Sequence, residues 1–213
     1  MTVADAPLLL AAGGRSRRMG TPKHLLDFHG VPWLRWQLER FLAAGGRRAC
    51  IVLPQEHLEV DRESCSVPGL ETVLLAQSDP AAPMASSLRL AARHACDTSA
   101  AAAWWLPVDT PAPGKQLWAE LLVALEDGDH VAAVPSGGGH PVLLARPLLE
   151  TLAAGSGEGL RLDETLRSLE AVGRLARGRF VDPLCPLNLN TRGAWEEWLS
   201  RAAKLLEAGD ASP

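Results

Sequence analysis

The chain has 213 residues, a formal net charge of −4 and 47% hydrophobic residues, which suits one domain with a sizeable core and argues against bulk binding of nucleic acid. No run approaches the ~20 apolar residues of a membrane span, and no basic segment precedes the short apolar run near the N-terminus, so no membrane association and a cytoplasmic location are expected. Cys50, Cys65, Cys96 and Cys185 stand apart, with no CxxC pair and no Cys/His spacing suited to zinc, and read as buried reduced thiols.

Taken in chain order, apolar strand-like runs alternate with helix-like ones. Residues 7–12 read as a buried strand, and 33–44 as a helix closed by Gly45-Gly46. Strands follow at 49–53 and 72–76, with a short helix at 56–62 between them. A helix at 85–95, a strand at 101–108 carrying Trp104 and Trp105, and a helix at 115–126 come next. Strands at 131–134 and 142–145 flank the turn Gly137-Gly138-Gly139, and helices are expected at 147–153 and 162–169. A strand at 175–181 and a helix at 194–206 close the pattern. Continuous apolar strands alternating with helices predict an α/β fold, a three-layer, doubly wound, mostly parallel sheet. It occupies residues 1–208, with 209–213 as a frayed tail. Trp33 with Trp36, and Trp195 with Trp198, are spaced three apart, as on the core face of a helix.

The first strand opens into Gly13-Gly14-Arg15-Ser16-Arg17-Arg18-Met19-Gly20-Thr21-Pro22-Lys23. Paired glycines permit φ > 0 and let successive N–H groups converge on an anion, and the cations around them suit a polyphosphate. The run fits neither GxGxxG nor the Gly-Lys-Ser/Thr ending of a Walker A loop. Arg18 and Lys23 are the cations expected on a triphosphate, Arg15 and Arg17 are either contacts or solvated charges, and Ser16 either donates to a phosphate or stabilises the turn. Met19 reads as packing. Asp109 ends an apolar strand before Thr110-Pro111, where it either presents a carboxylate to a hard cation such as Mg²⁺ or starts the turn. Asn188 and Asn190 flank Leu189 and so share a face of an extended segment, as metal-facing amides or as turn residues, and Thr191 is a candidate N-cap. Ligands of such sheets bind beyond the carboxyl ends of the strands, where both the glycine loop and Asp109 fall.

These residues resemble the nucleotidyltransferases that attach a nucleotide to molybdenum cofactor, within a wider class sharing LAxG-x-S-x-R-M-G-x-x-K. Ala11-Ala12-Gly13-Gly14 stands where those enzymes carry Leu-Ala-Gly/Ala-Gly, and Ser16, Arg18, Met19, Gly20 and Lys23 match one for one. The likeness extends to Pro107-Val108-Asp109-Thr110-Pro111, Gly139-His140-Pro141 and Asn188-Leu189-Asn190-Thr191.

The resemblance implies a nucleotide site at Ala11, Ala12, Gly13, Gly14, Arg15, Ser16, Lys23 and Asp109, with Lys23, Arg18 and Asp109 in catalysis. It implies Mg²⁺ held by Asp109 with Asn188 ahead of Asn190, and Ser87 and His140 on the acceptor side. Gly13, Pro107-Val108-Asp109 and the Asn188–Thr191 run are similar to the guanylyl branch; Ser86-Ser87-Leu88-Arg89 and Gly139-His140-Pro141 are similar to the cytidylyl branch, although Pro83 replaces an expected glycine. GTP and CTP therefore both stand as donors, with GTP ahead because a glycine leaves room for a purine. Molybdopterin is the implied acceptor, and a molybdoenzyme or chaperone is an implied partner. The alternatives are a sugar- or polyol-phosphate nucleotidyltransferase and a non-catalytic cofactor-binding chaperone.

Overall fold

The computed structural model describes residues 1–13, 20–58, 62–79, 81–155 and 161–210. β1 (Leu8–Ala11) enters the core and is followed by a single 3-10 turn, Lys23–Leu25, and a small hairpin of β2 (Asp27–Phe28) and β3 (Val31–Pro32). α1 (Trp33–Ala43) leads to β4 (Arg48–Pro54), β5 (Glu71–Gln77) and α2 (Met84–Cys96). β6 (Ala102–Pro107), α3 (Lys115–Glu126), β7 (Ala132–Val134) and β8 (Val142–Ala145) follow. α4 (Arg146–Ala154), α5 (Leu162–Ala171), β9 (Leu175–Arg177) and α6 (Arg192–Asp210) complete the chain.

The sheet has seven strands in the order β5-β4-β1-β6-β8-β7-β9. All neighbours pair in parallel except β8, which runs against both β6 and β7. The mostly parallel, doubly wound α/β sheet expected from the sequence is therefore present, with one reversed strand after the Gly137-Gly138-Gly139 turn. Because side chains alternate across a strand, Leu8, Leu10, Trp104 and Leu106 face one layer of helices, formed by α1, α3 and α6. Leu9, Ala11, Ala103 and Trp105 face the other, built from α2, α4 and α5.

Helix boundaries follow local chemistry. In α3, Leu117, Trp118, Leu121, Leu122 and Leu125 form a buried stripe at helical spacing. α1 stops where Gly45 takes φ +104°: its N–H donates to Leu42 O, and that of Gly46 to Phe41 O, the paired bonds of a Schellman cap. Trp33, Trp36, Trp195 and Trp198 do lie on inward faces and gather around Phe28, with Trp33 stacked on Trp36 at 4.7 Å and Phe28 stacked on Trp198 at 5.6 Å between ring centroids. That cluster clamps α6 onto α1, each aromatic pair adding about 0.5–1.5 kcal/mol beyond its burial.

Four local expectations change. The helix expected at 56–62 is a 3-10 turn, Gln55–His57, and 59–61 lie outside the described residues. The strand expected to reach 181 stops at Arg177, because Gly178 turns the chain with its N–H on Val134 O. α6 runs through Gly209 and Asp210, which had been assigned to the tail; Gly209 packs against the carboxylate of Asp182, and 211–213 lie outside the described residues. The β2–β3 hairpin had no counterpart among the expected elements. None of the four cysteines forms a disulfide, and burial pushes the Cys50 thiol up to about 12.

Candidate active site

The order β4-β1-β6 places the chain's reversal of direction beside β1, and such a switch point leaves a crevice at the carboxyl ends of the strands. Ala11 aligns with Val52 on one side and Pro107 on the other, so β1 and β6 end level while β4 runs on to Pro54. Two backbone bonds finish the edge: Ala12 N–H to Val52 O at 2.9 Å and Val108 N–H to Ala11 O at 2.9 Å. Asp109 leaves β6 at this edge, and its side chain is 10% exposed.

Lys23 comes to the same point from the 3-10 turn after the glycine loop. Its Nζ lies 3.5 Å from Asp109 Oδ2 and donates a short hydrogen bond to Asn190 Oδ1. Asn190 is delivered by a segment pinned at several places. Leu189 N–H donates to Asp109 O at 2.8 Å, and the Asp182 carboxylate accepts from Gly114 N–H at the start of α3 and from Leu184 N–H. Thr191 Oγ1 accepts from Ala194 N–H as the N-cap of α6. Three residues singled out in the sequence, Lys23, Asp109 and Asn190, thus meet although 86 residues separate the first two and 167 the first from the last. Asn188 is exposed on the far side of Leu189.

Gly13 is buried at the exit of β1, and its φ lies outside the left-handed region, so the backbone freedom expected of it is unused. A Cβ built there would meet Ser87 Oγ at 3.2 Å and Gln77 Cβ at 3.5 Å. Ser87, expected on the acceptor side, therefore packs against Gly13. Gln77, buried at the end of β5 and donating to Asp79 O at 3.3 Å, is a second neighbour of Gly13 that the sequence did not single out. Gly14, Arg15, Ser16, Arg17, Arg18 and Met19 lie outside the described residues.

His140 lies on the other flank. Gly139 holds φ +87°, and a Cβ there would fall on the carbonyl oxygen of Cys185, which accepts the His140 N–H at 3.2 Å. Burial drives the imidazole pKa down to about 4, against the opposing pull of the Asp109 charge and a hydrogen bond to the backbone of Trp105. His140 also borders a cleft of about 610 Å³ whose floor is Trp105 and Val142 and whose walls are Met84 and Leu88 of α2 and Leu166 of α5. Arg161 and Asp163 stand at its rim.

Among the described residues no three His, Cys, Asp or Glu side chains converge to hold a metal. The donors present are the Asp109 carboxylate and the Asn190 amide oxygen, both hard oxygen ligands of the kind Mg²⁺ takes in small number. His24 and His57 meet edge to face at 5.0 Å and belong to the packing beneath the Lys23 turn.

A doubly wound sheet that gathers a cation, a carboxylate and an amide oxygen at its switch point has the architecture of a nucleotide-binding α/β domain. Residues 8–172 match the MobA-like NTP transferase domain, and the chain belongs to that family. A molybdenum cofactor guanylyltransferase of Rhizobium meliloti (strain 1021) is 32% identical over 84% of this chain and 80% of its own length. One of Cereibacter sphaeroides is 30% identical over 93% of this chain and 95% of its own length. Among solved structures, the Mycobacterium sp. strain JC1 homologue of Mycobacterium tuberculosis Rv0371c superposes with a TM-score of 0.74 at 24% identity, covering 96% of this chain and all of that one. No helix among the described residues is long and apolar enough to cross a membrane.

Proposed function

We propose that this protein transfers a guanylyl group from GTP to a molybdopterin-type acceptor and releases pyrophosphate. The observation that carries the reading is the meeting of Lys23, Asp109 and Asn190 at the switch point, on a fold whose relatives bear the guanylyltransferase name. A terminal phosphate oxygen of the acceptor attacks the α-phosphorus of the triphosphate. A new P–O bond forms as the α–β bridge breaks, and its electron pair leaves with pyrophosphate. No protein nucleophile is required.

Asp109 and Asn190 would hold Mg²⁺, with Asn188 as the alternative amide, and the ion would supply positive charge to the phosphate oxygens. Lys23 neutralises charge on the phosphates and orients them, and Arg18 and the loop amides of Gly13 and Gly14 take the same role. Having no side chain, Gly13 lets Ser87 and Gln77 close against the end of β1, so these two side chains border the base side of the nucleotide in this reading. The cleft beside His140 receives the acceptor: its Trp105, Val142, Met84, Leu88 and Leu166 lining suits a flat ring system better than a polyhydroxylated sugar phosphate.

The test is turnover by the purified protein with each of the four nucleoside triphosphates, Mg²⁺ and either molybdopterin or a panel of sugar phosphates, followed as pyrophosphate. Release that requires GTP and molybdopterin together is expected. Release with a sugar phosphate would move the protein to the wider class. Cofactor binding without any release would make it a carrier.

A further inference from the structure

Asp109 is oriented through its backbone, and half of that grip comes from α1. The Val108 carbonyl, on the peptide just before Asp109, accepts from Trp33 Nε1 at 2.6 Å and from Gln37 Nε2 at 3.2 Å. The carbonyl of Asp109 itself accepts from Leu189 N–H at 2.8 Å. Peptide units are planar, so holding the carbonyls on both sides of one Cα fixes the two soft dihedrals between them, and with them the direction of the Cα–Cβ bond from which the carboxylate projects.

Trp33 also reaches the cationic side of the site. Its backbone N–H donates to Leu26 O at 2.8 Å, and Leu26 N–H in turn donates to Lys23 O at 3.2 Å. The first turn of α1 therefore fastens the Lys23 turn with its main chain and the Asp109 loop with its side chains.

Gln37 is 0% exposed. A carbonyl oxygen only accepts, so the amide nitrogen must face Val108, and Gln37 Oε1 is left buried with no partner among the described residues. Such an atom gives up the hydrogen bond it makes to water in the unfolded chain, which is destabilising. Leucine or methionine would fill the site without that cost, and Trp33 alone would still satisfy the Val108 carbonyl. Packing therefore gives no reason for glutamine at this position; the second lone pair of Val108 does.

We infer that Gln37, together with Trp33, is a positioning residue that aims the Asp109 carboxylate. This rests on the reading of Asp109 as the metal-holding group. It is tested with Gln37→Leu and Gln37→Met beside Asp109→Ala, measuring urea midpoints, turnover against Mg²⁺ and GTP concentration, and Mn²⁺ binding by EPR in the presence of GTP. Both Gln37 variants should unfold at the wild-type midpoint or above it. Their kcat should fall by about tenfold or more, within the range that small misplacements cost. Mn²⁺ should bind correspondingly more weakly, with KM for GTP little changed.

Wild-type turnover and Mn²⁺ affinity in both Gln37 variants, with Asp109→Ala inactive, would overturn the inference and leave Gln37 a packing residue. A lowered urea midpoint with unaltered kcat would do the same. Full activity and Mn²⁺ binding in Asp109→Ala would instead remove the metal reading on which it rests.

Discussion

Leu189 donates its backbone N–H to the carbonyl of Asp109 at 2.8 Å while its side chain, 4% exposed, enters the core. This single residue sets the orientation of the asparagines on either side of it. Asn190 is turned onto Lys23, whereas Asn188 is exposed. Asn190→Ala should therefore lower turnover by about tenfold or more, and Asn188→Ala by much less, since removal of a ligand or its support typically costs 10–100-fold. Steady-state kinetics at saturating GTP and varied Mg²⁺ decides it; the reverse ranking would assign the second oxygen ligand to Asn188.

Gly13→Ala should preserve the fold, because no left-handed backbone is needed there and the tightest contact of the new methyl, Ser87 Oγ at 3.2 Å, is relieved by a shift of a few tenths of an ångström. The added carbon pushes on Ser87 and Gln77, which border the base side in the proposed reading. A pocket reads one methyl with ~1–3 kcal/mol, so kcat/KM for GTP should drop by roughly tenfold and by less for CTP. Equal losses for the two nucleotides would place Gly13 under the phosphates.

His140 makes stability depend on pH. Its pKa in the folded chain is about 4, below the ordinary 6.5, so between those values the unfolded chain binds the extra proton. Stability is constant from this source above pH 6.5 and falls as pH drops toward 4, by up to about 3 kcal/mol at 1.36 kcal/mol per pKa unit. His140→Asn should flatten that part of the profile. Urea midpoints of the two proteins at pH 4.5 and 7.5 test it, and parallel pH dependences would mean that the folded imidazole protonates as readily as a free one.

Gly139→Ala should do more damage than Gly13→Ala. Its φ of +87° is strained for alanine, and the new methyl would land on the rigid carbonyl of Cys185. A loss of about 2 kcal/mol or more is expected, read from the urea midpoint. Turnover should fall as well, since Cys185 leads into the segment that carries Asn190.

Readability from sequence followed the length and periodicity of the signal. The α3 stripe and the apolar strands are long repeats, and both core layers can be traced from alternation within β1 and β6. Asp109 stood out as a carboxylate ending an apolar strand and Lys23 as a cation of the glycine loop, whereas Asn190 ranked behind Asn188 because the alternation of an extended segment gives both the same face. The β2–β3 hairpin was not, because two-residue strands have no period, and its turn rests on His29 and Gly30 at positive φ rather than on an Asn-Gly pair. The contact of Ser87 was hidden for another reason. Neighbouring residues on α2 serve different sides of the helix, so Met84 and Leu88 line the cleft beside His140 while Ser87 faces Gly13. Gln37 resembled any polar residue in an amphipathic helix; only its contact with Val108 distinguishes it.

The family match ends at residue 172, before Asn190 and before the two tryptophans of α6 that close over Phe28 and Trp33. During synthesis, a nascent chain exposed only to that point would hold Lys23 and Asp109 yet lack the amide that joins them. The site is thus a clasp whose last piece is made late. Slow, non-local closure of this kind exposes the Phe28 face until α6 has been made, which makes the arrival of α6 the step at which folding competes with aggregation.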